Sequence, residues 1–169
     1  MIRKASINDA ESIAVIGKQT FYDAHEHSSP KEELESYLQT KFSTEQLRLE
    51  LSDEKNSFHL IYFENELAGY SKVIYNTPAP QIPENTNVCK LERIYVLKKF
   101  YDKKIGLKLL KFNNDLCLQN QQLAMWLSVW TENERAIRFY EKFGFKTIGE
   151  IMFKVGNQYN PNLVMWLEL

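Results

Sequence analysis

Residues 91–110, LERIYVLKKFYDKKIGLKLL, decide how this chain is read. The first six form a short apolar strand ending at Val96. Lys98, Lys99, Lys103 and Lys104 then crowd a loop, and a helix opens at Ile105 and Gly106, with Lys108 and Lys111 following. A strand that passes through a basic loop into a helix start sets backbone N–H groups and the helix dipole against a bound phosphate. Gly106 lets a ligand approach the backbone with no Cβ in the way. The stretch is not a Walker loop, because no GK[ST] follows a GxxxxG spacing, and it lacks the glycines of a dinucleotide fingerprint. A lysine run standing alone is as readily a solvated loop. Its place at the junction of strand and helix is what points to an anion.

Around that centre, 169 residues fit one domain, 1–169, with a core of its own. A hydrophobic share of 44% argues for a packed globule. A net charge of −1 argues against a globally basic nucleic-acid binder. No apolar run approaches the roughly 20 residues of a membrane span, and MIRKASINDAES has no signal-peptide core. Cys89 and Cys117 are too few and too scattered for a disulfide framework or a zinc site. The expectation is a cytoplasmic protein with free thiols and no metal, membrane or nucleic-acid partner. Sheet edges near the C-terminus leave room for a homodimer.

Taken in order, residues 1–4 read as a first strand. Ser6 or Asn8 caps a helix through Ala10, Ile13, Ala14, Ile16 and Gly17. TFYDAHEHSS (20–29) reads as a polar loop. Ser29, Pro30 and Glu32 resemble a second helix start, and Ser43 with Gln46 a third. FHLIYF (58–63), a turn at 64–66 and a strand over 67–75 make a hairpin. Residues 76–87, with Pro78, Pro80 and Pro83, form an irregular loop. Ile105, Leu109, Phe112 and Leu116 give the central helix one apolar face. A strand over 123–129 follows, then a capping box at Thr131 and Glu134 opening a helix that Gly144 ends. Two strands, near 145–155 and 163–169, meet at Gly156 and Asn157. The fold class is α/β: a mixed sheet with helices on both faces.

Asn133 and Tyr140 lie seven residues apart, two turns, and share one helix face. Asn133 equally suits the cap of that helix, and a Tyr at an apolar position often fills core. With the surrounding VWTENERAIRFYEKFGFKTIGE (129–150), the pair resembles motif B of the GCN5-related N-acetyltransferases, the GNAT superfamily. Residues 91–110 resemble its motif A. The family's phosphate loop reads Q/R-x-x-G-x-G/A. Here the run is Tyr101, Asp102, Lys103, Lys104, Ile105 and Gly106, with only the last glycine kept. Lys103, Lys104 and Lys108 offer compensating cations.

The resemblance implies a GNAT-type, mostly antiparallel sheet and acetyl-CoA as cofactor. Ile94, Tyr95 and Val96 would run beside pantetheine, residues 101–108 (Leu107 included) beside the pyrophosphate, and Asn133 on the far side. It implies Tyr140 as the general acid for the departing thiolate. Glu92 is the candidate base, set against a salt bridge with Arg93 or Lys90. The acceptor, a small-molecule amine, would lie under the 21–29 and 76–87 loops, with Phe21, Tyr22, His25 and Tyr75 offered to it. His25 and His27 alone make no metal site. TFYDAHEHSSPKEELESYL (20–38) and FKVGNQYNPNLVMWLEL (153–169) are similar to the spermidine/spermine N-acetyltransferase branch, and Asp23, Glu26, Glu32, Glu33 and Glu92 would suit a polycation. The alternatives are a protein N-terminal or lysine acetyltransferase, and a CoA-binding module without catalysis.

Overall fold

The computed structural model describes residues 1–27 and 30–169. Strand β1 (Ile2–Lys4) leads through a 3-10 turn (Ile7–Asp9) into α1 (Ala10–His25), followed by α2 (Lys31–Lys41) and α3 (Thr44–Ser52). Strands β2 (Asn56–Phe63), β3 (Glu66–Ile74) and β4 (Val88–Val96) come next. After a second 3-10 turn (Lys98–Lys103) the chain forms α4 (Ile105–Gln119), β5 (Ala124–Trp130), α5 (Glu134–Phe143), β6 (Lys146–Val155) and β7 (Gln158–Glu168).

The strands make one sheet in the order β1-β2-β3-β4-β5-β7-β6. Every pairing is antiparallel except β4 with β5. Apolar side chains of α1 and α3 pack with Phe58, Leu60 and Tyr70 on one face. On the other, Leu110 and Cys117 of α4 and Ile137 and Tyr140 of α5 pack with Leu91, Met125 and Leu127. The mostly antiparallel α/β sheet with helices on both faces is as expected.

The differences lie mainly at element ends. The first six residues of TFYDAHEHSS are helix, not loop, because α1 continues to His25. Thr20 and Phe21 extend the buried face begun at Ile13, and Thr20 spends its hydroxyl on the Ile16 carbonyl at 2.7 Å, which keeps a polar group in the helix without breaking it. Pro30, not the residue before it, takes the N-cap of α2; Ser29 lies outside the described residues. Asn133, not Thr131, caps α5. Strand β4 starts three residues earlier than its apolar run because Val88, Cys89 and Lys90 pair with β5, and β7 five earlier because residues 158–162 pair with β6. The buried face of α4 is turned toward Leu110, Asn113 and Cys117. Cys89 and Cys117, scattered in sequence, meet in the core with Sγ atoms 2.8 Å apart.

One irregularity positions everything that follows. Lys72 pairs with Arg93 and Val73 with Leu91, so Glu92 is an extra residue in β4. Such a bulge bends its strand. Beyond it β4 leaves β5: the two are paired only at Val88 with Ala124, Cys89 with Met125 and Lys90 with Trp126. Gly69 holds the bent end against β3, where a Cβ would stand 2.2 Å from the Tyr95 carbonyl oxygen.

Candidate active site

The splayed ends of β4 and β5 open a cleft of about 1010 Å³. One wall is the unpaired edge of β4, with Ile94, Tyr95 and Val96; the other is β5 and the start of α5. At one end sits the start of α4. Lys104 has a left-handed backbone (φ 56°), and the first helical bond runs from the Lys108 N–H to the Lys104 carbonyl. The amides of Ile105, Gly106 and Leu107 therefore lie outside the helical ladder, in a concavity that suits an anion. A Cβ on Gly106 would approach the Phe139 ring to 3.6 Å, so the bare backbone keeps this end of the cleft open.

Of the residues predicted for this end, Tyr101, Lys104, Gly106 and Leu107 line the cleft. Asp102 and Lys103 are exposed and pair with each other at 2.8 Å, which holds the Asp102 carboxyl below its usual range. The Ile105 side chain is buried with Val96 and Leu109. Lys108 faces a separate hollow beside Met1 and Phe112, because it lies on the other side of α4. The cation that sequence reasoning missed is Arg135, whose guanidinium lies 3.4 Å from the centre of the Tyr101 ring. The aromatic ring that replaces the family's polar side chain carries a cation on its face.

In the middle of the cleft stand Asn133 and Tyr140. Asn133 Oδ1 accepts the Ala136 N–H at 3.2 Å, so its carboxamide caps the helix while facing the cleft. The Tyr140 ring packs between Phe139 and Phe145, at 5.2 and 5.6 Å between centroids. Its hydroxyl has no hydrogen-bond partner among the described residues. Burial raises its pKa, so the group remains a protonated donor at neutral pH. Core filler and cleft donor describe two ends of one side chain.

Beyond Tyr140 the cleft widens under α1 and α2. Phe21 and His25 line it; Tyr22 does not, and Tyr75 packs on the opposite face of the sheet near Asn120. The 76–87 loop is also displaced: Ala79 is buried against Val88 and Trp126, and the Trp126 indole donates to the Thr77 carbonyl at 2.7 Å. His25 stacks on Phe21 at 4.2 Å and lies 5.6 Å from Trp130; burial pushes its pKa down to about 4, so it is neutral.

Glu92 is in the cleft but not alone. Lys72 Nζ stands 2.5 Å from one carboxylate oxygen and Lys90 Nζ 3.5 Å from the other. Burial by itself would raise the Glu92 pKa, yet Lys72, Lys90 and Arg93 together hold it below the ordinary carboxylate range. Lys72 also meets Glu50 at 2.9 Å, and Arg93 takes Glu50 in a fork at 2.8 and 3.1 Å. Of this cluster the sequence offered only the contact of Glu92 with Lys90; Glu50 and Lys72 arrive from α3 and β3, and Arg93 turns to Glu50.

The model of the acetyltransferase (GNAT) family matches residues 18–145. An uncharacterised N-acetyltransferase from the pepI 3′ region of Lactobacillus delbrueckii subsp. lactis is 25% identical over 97% of this chain and 94% of its own length. The spermidine N(1)-acetyltransferase of Thermoplasma acidophilum is 26% identical over 86% of this chain and 87% of its own. Among solved structures, PaiA N-acetyltransferase from Thermoplasma acidophilum, in complex with coenzyme A, superposes with a TM-score of 0.80 at 24% identity, over 100% of this chain and 98% of that one.

Proposed function

This chain belongs to the GNAT acetyltransferase family, and from that premise we propose that it transfers an acetyl group from acetyl-CoA to a small primary amine, with Tyr140 as general acid. The observation that carries this is the unpartnered Tyr140 hydroxyl, held protonated in a cleft between an open strand edge and an anion-binding helix start. The residues present suit the cofactor. The free β4 edge at Ile94 and Val96 would hold the pantetheine arm, and the amides of Ile105, Gly106 and Leu107, with Lys104 and Arg135, its pyrophosphate. Acetyl-CoA supplies an activated acyl group as a thioester.

The chain's own part is proton traffic and alignment. With the thioester bound, Tyr140 Oη would give its proton to the departing sulfur as the amine takes the acyl group. The amine's own proton would leave through water to solvent. Lys72 and Lys90 keep Glu92 too weakly basic to hold that proton, so its carboxylate would orient the water by accepting a hydrogen bond. A polyamine acceptor is a second reading, favoured by the names of relatives: the Thermoplasma spermidine enzyme and the Bacillus subtilis spermine/spermidine N(1)-acetyltransferase, 29% identical over 55% of this chain. The test is thiol release from acetyl-CoA with a panel of primary amines. Release that depends on amine is expected. Tight CoA binding without release from any amine or peptide would leave only a binding module.

A further inference from the structure

We propose that the acceptor amine carries a carboxylate: a small amino acid fits the acceptor end of this cleft better than a polycation. This rests on the acetyltransferase reading above and names the substrate class for the same site.

Charge decides it first. The acceptor end is lined by Lys41, Lys72, Lys90, Arg93 and Lys154 against two carboxylates, Glu50 and Glu92. Both carboxylates are already taken. Glu50 holds the Arg93 fork and Lys72, and Glu92 holds Lys72 and Lys90, so each of the four oxygens has a cation within 3.5 Å. An arriving second ammonium would have to displace one of these pairs from a largely buried network and leave a buried charge without its partner. The other acidic residues suggested for a polycation lie elsewhere. Asp23 accepts from Gln19 and faces Lys98, Glu33 accepts the Asn157 N–H, Glu26 pairs with His27, and Glu32 is exposed on α2.

The cations, by contrast, have capacity left. Among the described residues Lys41 and Lys154 have no carboxylate within ion-pair distance, and Lys90 reaches Glu92 only at 3.5 Å while resting 5.1 Å over the Trp126 ring. Aromatic rings also bind cations, but here Phe21 is stacked on one side by His25 and on the other by Tyr37, so its faces are occupied.

A second, independent observation is Asn162. It is 6% exposed, lines the cleft, and has its Oδ1 buried without a partner. A buried carboxamide oxygen left unpaired is costly unless a ligand satisfies it, so it marks a place for the acceptor's amine. An amino acid gives Asn162 that N–H, as any amine would, and adds what the lysines lack, a carboxylate.

The experiment compares chain-matched acceptors, 5-aminopentanoate against 1,5-diaminopentane and an α-amino acid series against spermidine, in thiol release from acetyl-CoA. Binding of each to the CoA-saturated protein is measured in parallel by calorimetry. At least a tenfold preference for the carboxylate-bearing partner is expected. In the double variant K41E/K154E that preference should fall by about tenfold or reverse. Equal or better use of the diamine, or a preference that the double variant leaves unmoved, overturns the proposal while keeping the acetyltransferase. Calorimetry scores the preference without turnover, so a failure of catalysis is told apart from a failure of the acceptor assignment.

Discussion

Tyr140 and Arg135 lie on one short helix and make separable predictions. The Tyr140 ring is held by Phe139 and Phe145, and only its hydroxyl enters the cleft, so Tyr140→Phe keeps the packing and removes one proton. Loss of a general acid lowers turnover by about 10²–10⁴-fold. We expect kcat to fall in that range with CoA affinity unchanged by calorimetry; a variant as fast as wild type would remove Tyr140 from the mechanism. Arg135 acts at the other end. Lying on the Tyr101 ring, it brings a cation to a phosphate loop that lacks the family's usual side chain. Arg135→Ala should weaken CoA about tenfold, in line with the loss of one charge-assisted contact, and leave turnover at saturating acetyl-CoA near wild type. Tyr140 was legible because helical spacing and family resemblance pointed at the same position. Arg135 was not, because its partner ring lies on another element and no local pattern records the meeting.

At the scale of elements, strand β4 carries the site by failing to stay paired. Its bulge at Glu92 and its tight approach to Gly69 bend it away from β5. Gly69→Ala would drive a methyl group into backbone of the neighbouring strand, which cannot yield as a side chain does. Overpacking of this kind costs about 1–3 kcal/mol. A lower urea midpoint is expected, together with weaker CoA binding, because the bent edge is the wall proposed to hold the pantetheine arm. If stability drops and CoA binding does not, the edge is not what holds the cofactor. The Ser43 cap of α3 and the hairpin turn at Glu64 and Asn65 were readable from sequence, since caps and turns are local chemistry. Where α1 ends was not: Thr20 and Phe21 look polar-flanked in sequence but complete a buried helical face. Nor was the fate of the carboxylates, since Glu92 reads alike as base or as ion pair until Lys72 arrives from β3. Tyr75 and Tyr22 looked like acceptor residues by neighbourhood in the chain, and the sheet sends them elsewhere.

For the whole molecule, two histidines contribute to the response to acid: His59 in the core and His25, half-buried, at the cleft. Burial lowers both His25 and His59 to about 4, with Lys4 adding to the effect on His59. An ordinary histidine titrates near 6.5, so between pH 6.5 and 4 the unfolded chain binds more protons than the folded one. Stability is therefore full above pH 6.5 and falls as the pH drops toward 4. His59, 5% exposed, contributes on the order of 3 kcal/mol to that fall. Urea unfolding at pH 7, 6 and 5 should show the decline, and His59→Phe should flatten it; a slope unchanged in the variant would assign the loss to other groups. The sheet order has a different consequence, for solubility. A strand edge is an adhesive surface, and this sheet has four. The outer two are blunted: β1 is three residues long, and β6 is irregular between Thr147 and Gly149 with Lys146, Glu150 and Lys154 exposed along it. The two apolar inner edges, on β4 and β5, face one another across the cleft instead of facing other molecules. The protein thus stores its stickiest backbone inside its own working space, where a thioester arm can reach it and a neighbouring chain's strand meets charge first.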